Sequence, residues 1–366
     1  MQYQMKLHLL GQPKLRVDGA RLPPIRSSDR SALVIYLLAL HRHGVTMEML
    51  VDNLWEHSAA TVTRLDPKRE LKARTASRTA VYRLRKLDKW IVEGTRDHGG
   101  GRNLYSLPSN TECDLWQFDD KLAEADLIQA RGAHDPYLAA HAADLRQAAL
   151  SLYRGPFCDG VAETSFIVQA DREISERARK TALKVAGYYR QIGTELWVRR
   201  KHGTKGKGKG ANCACHHHSG MEIDVSGAQL RPEVLAIAWA MEHRLRRSQN
   251  TGDNTRGKSC PSVADSLGIS TQSPSAPVVR RYSPASAREE VALYTAIENY
   301  DRALRIEPYD PRAYIAIMEC EAYLGNPQGV YKAWERCQAI FRTELQQEPS
   351  PEMYSSYAYC LRLAAQ

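Results

Sequence analysis

The sequence predicts a mainly α-helical protein with a small β component, built from a winged helix-turn-helix followed by an all-α domain. Three observations carry that expectation. Short strand-like runs with hairpin signals fill the first 25 residues. Two short amphipathic helices joined by a glycine turn precede a third helix and a strand–glycine–strand segment. From Asp114 onward, apolar residues recur at helical spacing and are broken by Pro and Gly.

Lys6–Leu10 alternates weakly, Gly11-Gln12-Pro13 turns, and Lys14–Val17 follows. Asp18-Gly19 is a hairpin signal, and Arg21–Ile25 is a candidate third strand despite Pro23-Pro24. Asp29 suits the cap of a helix with Leu33, Tyr36, Leu37 and Leu40 inward, and Gly44 stops it. Thr46 suits the cap of a second helix, with Met47, Leu50, Val51 and Leu54 inward and Trp55 closing it. After the polar stretch His57–Lys72, a third helix has Ser77, Val81, Leu84 and Leu87 inward at one-turn spacing. A strand at Trp90–Glu93, the tip Asp97-His98-Gly99-Gly100-Gly101-Arg102 and a strand at Asn103–Leu107 complete a wing. Trp55 and Trp90 are expected in the core.

Helices are expected over Asp114–Gln129, Pro136–Tyr153 and, after the break at Gly155-Pro156, Thr164–Ile192. Residues 200–286 change character. They hold the run Lys205-Gly206-Lys207-Gly208-Lys209-Gly210 and much Gly, Ser, Pro and Asn, which predicts a mostly disordered insertion with one isolated amphipathic helix at Arg231–Arg247. Helices return at Ala287. Leu293, Ile297, Tyr300 and Leu304 form one stripe. Tyr314, Ile317, Met318 and Tyr323 form the next, before Gly325-Asn326-Pro327. Val330, Trp334, Cys337, Phe341 and Leu345 form a third, and Pro349-Ser350-Pro351 introduces a last helix. Helix pairs with these breaks are tetratricopeptide-like. The expected division is 1–110 for the winged helix, 111–199 for the first helical part, 200–286 for the insertion and 287–366 for the second helical part.

Charge follows these boundaries. Residues 1–110 hold 19 Lys and Arg against 10 Asp and Glu, whereas residues 111–199 hold 11 against 14. Residues 200–287 hold 13 against 6, and residues 288–366 hold 8 against 12. A basic module beside mildly acidic helices suggests a polyanion partner for the first and a different partner for the rest. The longest apolar run, Ala32–Leu40, is too short to cross a bilayer, and Met1–Leu10 does not read as a signal peptide, so a cytoplasmic protein with no membrane partner is expected. The eight cysteines are scattered through a long chain and read as reduced thiols.

Several stretches together resemble the Streptomyces antibiotic regulatory protein (SARP) type of bacterial activator. They are Leu9-Leu10-Gly11 with Val17-Asp18-Gly19, Leu50-Val51-Asp52-Asn53-Leu54-Trp55, Tyr82-Arg83-Leu84-Arg85-Lys86, and Gly99-Gly100-Gly101 before Tyr105-Ser106-Leu107. In the helical part they are Leu152-Tyr153-Arg154-Gly155-Pro156 and Glu344-Leu345 with Glu348-Pro349-Ser350-Pro351-Glu352. The resemblance covers most of residues 5–199 and 287–360. It implies an OmpR-type winged helix joined to a bacterial transcriptional activation domain, with promoter DNA, RNA polymerase and a second copy of the chain on a direct repeat as partners. The His57–Ala73 stretch is longer than the family's usual loop at that place, which in OmpR-type domains can touch RNA polymerase. The family offers no reading of the insertion, and no receiver domain is present in the sequence.

DNA recognition needs cations for phosphates and side chains that reach base edges. Arg64–Lys89 holds 10 Lys and Arg against 3 Asp and Glu, between a helix-turn-helix and a glycine wing. By the resemblance, Arg74, Thr75, Arg78, Thr79 and Tyr82 lie where family members read or approach DNA. Arg83, Arg85 and Lys86 suit phosphates, and Arg96, His98 and Arg102 on the wing could reach the minor groove or backbone. The competing reading of a basic helix is a solvated face, and Tyr82 fits either the groove or the core.

Cys213-Ala214-Cys215-His216-His217-His218 has metal-type donors but no second ligand pair at zinc-finger spacing, so a floppy loop is the simpler expectation and no metal is assigned. The Lys-Gly run lacks phosphate-loop order but could attract nucleic acid non-specifically. No catalytic constellation stands out, so no enzyme activity and no cofactor are expected. The rival expectation is a protein-interaction adaptor whose tetratricopeptide-like helices carry the function while the winged helix is a scaffold.

Overall fold

The structure is a computed structural model that describes residues 5–17, 20–21, 30–54, 67–87, 92–96, 103–132, 135–161, 164–203 and 284–365. It is mainly helical with a small sheet. Two compact units divide the chain: Met1–Arg131 with His141–Val185 and Asp301–Asp310, and Gly132–Ala140 with Ala186–Tyr300 and Pro311–Gln366.

In the first unit a four-stranded sheet has the order β3-β2-β1-β6, from β1 (Met5–His8), β2 (Lys14–Val17), β3 (Ala20–Arg21) and β6 (Glu112–Cys113). β1 pairs antiparallel with β2, Met5 opposite Val17, and parallel with β6, Leu7 opposite Cys113. β1 lies at Met5–His8 rather than Lys6–Leu10: within it Met5 and Leu7 are buried and Lys6 meets Glu112 at 2.9 Å, while Leu9 and Leu10 beyond it are both buried. Of the expected third strand, Arg21 is in β3, and residues 22–29, including the proposed cap Asp29, lie outside the described residues.

Helix α1 (Arg30–Leu40) is buried from Ser31 to Ala39, which takes in Leu33, Tyr36 and Leu37 of the expected apolar positions, while Leu40 at its end is half-buried. It is apolar all round, and such a helix is stable only with neighbours on every side. Its chain exits through Gly44 at φ 99°, a left-handed conformation that favours glycine. A Cβ there would also stand 3.2 Å from the Tyr105 carbonyl. Thr46 caps α2 (Met47–Leu54) as expected: its Oγ1 accepts the Met49 N–H at 3.3 Å.

Helix α3 spans Pro67–Leu87. It therefore begins inside the stretch expected to be loop, and the reason is local: proline is favoured at the first helical position, where its missing N–H costs nothing. The first wing strand also shifts. β4 is Glu93–Arg96 rather than Trp90–Glu93, and it pairs antiparallel with β5 (Asn103–Ser106) from Glu93 opposite Ser106 to Arg96 opposite Asn103. Trp55 and Trp90 lie outside the described residues.

Helices α4 (Asp114–Arg131) and α5 (Pro136–Leu152) match the expected spans closely. The Trp116 indole N–H donates to the Ala39 carbonyl at 2.7 Å, tying α4 to the end of α1. Two segments that carried the family resemblance meet in space. Gly11 N–H donates to Pro156 O at 3.0 Å, Cys158 N–H to Leu9 O at 2.8 Å, and Arg154 N–H to Leu10 O at 3.3 Å.

Helix α6 spans Ser165–Gly203, eleven residues beyond the expected end at Ile192. Gly193 is not a stop. It is a place of close approach, where a Cβ would lie 2.6 Å from the Leu293 side chain. In the second unit this part of α6 accompanies α7 (Pro284–Ile306, up to Tyr300), α8 (Pro311–Tyr323), α9 (Pro327–Thr343) and α10 (Pro351–Ala364). Asn326 caps α9 by accepting the Gly329 N–H at 3.1 Å, and Ser350 caps α10 through the Met353 N–H at 3.4 Å. Each cap precedes a proline at the first helical position. Tyr314, Ile317, Met318 and Tyr323 are buried as the stripe predicts, and Trp334 stacks on Tyr357 at 4.9 Å. The expected insertion, its Arg231–Arg247 helix and the Cys213–His218 cluster fall outside the described residues, apart from the helical ends 200–203 and 284–286.

Cys113, Cys158, Cys320, Cys337 and Cys360 are free and buried. Burial pushes the thiols of Cys113, Cys337 and Cys360 up to about 12, which makes them poor nucleophiles.

Glu289 on α7 is only 2% exposed and sits 3.1 Å from an Arg200 nitrogen. Burial pushes its carboxyl up to about 7 from the ordinary 4.5, against the attraction of Arg200 and with the help of neighbouring Glu290. The folded chain then holds a proton that the unfolded chain has released, so stability should fall as pH rises from about 4.5 through 7. Denaturation midpoints at pH 5 and pH 7.5 should show this loss in the wild type and little of it in Glu289→Gln.

Candidate nucleic-acid interface

Among the described side chains of α3, Ala73, Ser77, Ala80, Val81 and Leu84 form its buried face. Their spacing of three, four and seven places them on one side of a helix with 3.6 residues per turn. The sequence pattern identified Ser77, Val81 and Leu84, and the two alanines complete the face. Small side chains there let α1 and α2, which pack on α3, come close. The side chain of Leu87 is not among those described.

The opposite face follows from the same geometry. Leu71, Thr75, Arg78 and Tyr82 recur at i, i+4, i+7 and i+11, and all are exposed, Leu71 and Tyr82 at 66% each. Tyr82, which the sequence left between groove and core, thus points to solvent. Thr79, Arg83 and Lys86 are also exposed, and Arg74 is half-buried at the border. No described carboxylate neutralises Arg78, Arg83 or Lys86. Thr75 and Thr79 donate their hydroxyl protons to the Leu71 and Thr75 carbonyls at 2.8 Å each, so their oxygens remain acceptors for a ligand.

Arg85 differs from its neighbours. Its Nε donates to the Val92 carbonyl at 3.1 Å, and its guanidinium lies 5.8 Å from the centre of the Tyr105 ring. Gly94 leaves room for it, since a Cβ there would stand 2.8 Å from Nη2. Arg85 therefore joins the end of α3 to the wing. The wing is also tied to the turn before α2, because Val45 and Tyr105 exchange both backbone hydrogen bonds at 2.9 Å. Helix, turn and hairpin are held as one frame by main-chain bonds and one arginine.

Arg96 ends β4, but its side chain is not described, and His98 and Arg102 lie outside the described residues. The sequence pattern missed Lys68, Leu71 and Lys72, which the earlier start of α3 adds to the helix. The pair Asp66-Pro67 was the available signal, an acidic residue followed by a helix-starting proline.

An open groove of about 460 Å³ runs between the start of α1 and one flank of α3. Among the described residues, no group of His, Cys, Asp and Glu could hold a metal ion, and no helix is long and apolar enough to cross a membrane.

No protein-family model matches the chain, and no curated protein matches it. Among solved structures it is similar to Mycobacterium tuberculosis EmbR, solved in complex with a low-affinity phosphopeptide, with 16% identity and a TM-score of 0.47. The match covers 99% of this chain, which spans 66% of the length of that one.

Proposed function

We propose that this chain is a sequence-specific DNA-binding transcription regulator, acting as an activator on promoter direct repeats. α3 enters the major groove of double-stranded promoter DNA, and a second copy occupies the adjacent repeat. The helical segments supply contacts to that copy and to RNA polymerase, as the SARP-type resemblance implies. The observation that carries this reading is the face of α3. Its exposed side, centred on Arg78 and Tyr82, lies opposite the buried face that fixes the helix, and Arg78, Lys86 and, on the flank, Arg83 are free of described carboxylate partners. An α-helix fits the major groove, and a solvated charge run needs no wing anchored to its end.

The test is enrichment of duplexes from a random-sequence pool by the full-length protein, followed by affinity measurements over a salt series. A single enriched motif is expected. Its affinity should fall about 10³-fold or more between 50 and 200 mM salt, as for a protein making six or more phosphate contacts. A pool that enriches nothing, with weak and salt-insensitive binding, would overturn this function and favour the adaptor.

A further inference from the structure

We propose that the groove between the start of α1 and the flank of α3 is a cradle for the sugar-phosphate backbone of one DNA strand. The proposal rests on the DNA-binding function above and adds Arg30 and Lys72 to the residues that serve it. Among the described lining residues three are cations, Arg30 from α1 with Lys72 and Arg83 from α3, and none is acidic. Its floor includes Ala76 and Ala80, whose small side chains let a strand approach the helix closely.

The spacing of the cations fits a polyanion. Lys72 and Arg83 are eleven residues apart, which is about 16 Å along a helix rising 1.5 Å per residue. One strand of B-DNA carries a charge every 3.4 Å of axis, so this interval covers several phosphates. A single small anion could not engage both ends. Contiguity points the same way: Thr75 and Thr79 line the groove and also belong to the exposed face of α3. A duplex read by that face therefore presents its backbone to the groove. Leu71, on the groove wall, supplies an apolar surface for deoxyribose.

The experiment uses the full chain and a duplex that the wild type has enriched from a random pool. Lys72→Gln and Arg83→Gln are measured singly and together. Each should reduce the steepness of log affinity against log salt by about 1, and the pair by about 2, with the enriched motif unchanged. Ethylation of a set of consecutive phosphates should block the wild type and lose that effect in the double variant. Both side chains are exposed, so the circular dichroism spectrum should not change. An unchanged salt slope with binding retained would overturn the cradle and leave the parent function standing. Failure of the wild type to enrich any duplex would overturn the parent function.

Discussion

Replacing Asp114 by Ala is expected to destabilise the first unit by about 3–5 kcal/mol. Asp114 opens α4 with its side chain 3% exposed. Its carboxylate accepts the Leu9 N–H at 2.8 Å, the Leu10 N–H at 3.3 Å and an Arg154 guanidinium N–H at 2.5 Å. Leu9 and Leu10 are fully buried, so no water can replace the lost acceptor. Two buried donors without partners cost about 1–3 kcal/mol each. Arg154 is half exposed and keeps part of its hydration, which holds the total near the lower end. Asp114→Asn keeps one carbonyl acceptor and should lose clearly less. Asp120→Ala is the control. Its pair with Arg42 at 2.8 Å is exposed on both sides and contributes less than about 1 kcal/mol. Urea denaturation followed by tryptophan fluorescence reads all three, and equal midpoints for Asp114→Ala and Asp120→Ala would refute the anchor.

That anchor was not legible in the sequence, and the reason is physical. Periodicity and turn signals report interactions within about one helical turn or one hairpin. Asp114 and Leu9 are 105 residues apart, and nothing local requires their contact. The family resemblance had marked Leu9-Leu10-Gly11 and Leu152–Pro156 separately, and only coordinates show them hydrogen-bonded to each other. Thr46, Gly44 and the stripes of α8 could be read because a cap, a left-handed turn and a buried face each leave a local pattern.

The two misplaced helix ends arose from the opposite difficulty, a local signal with two meanings. Proline both ends helices and begins them, so in sequence Pro67 reads as part of the polar stretch His57–Lys72, yet it stands at the start of α3. Glycine both stops helices and admits a neighbour: the expected end at Ile192 stands just before Gly193, yet α6 runs on through it to Gly203 and Leu293 of α7 packs against it. The candidate site inherits the first of these. Ser77, Val81 and Leu84 suffice to orient α3 and to place Arg78 outward, whereas Tyr82 fits groove or core until its 66% exposure decides it. The extra turns carrying Lys68, Leu71 and Lys72 came only with the structure. Arg85 shows a further limit, since its bond to Val92 O depends on the wing folding back against the helix.

Arg78→Ala is the substitution expected to affect DNA recognition most. Arg78 is exposed on the side of α3 opposite Ser77, Val81 and Leu84, one turn from both Thr75 and Tyr82. A guanidinium there can bond guanine O6 and N7 together, a contact that contributes about 1–3 kcal/mol of discrimination. Affinity for the enriched duplex should therefore fall about 5- to 150-fold, and base preference should relax at one position. Lys86→Ala should instead weaken all duplexes nearly equally and lower the salt slope by about 1. Arg78→Lys separates charge from geometry. An ammonium keeps the phosphate attraction but cannot make the planar two-bond contact, so non-specific affinity should survive while the preference is lost. None of the three touches the buried face, so the melting temperature should stay within about 1 °C of wild type, in line with the small effects of surface substitutions. If Arg78→Ala binds the enriched duplex with unchanged affinity and unchanged base preference, α3 is not the reading helix.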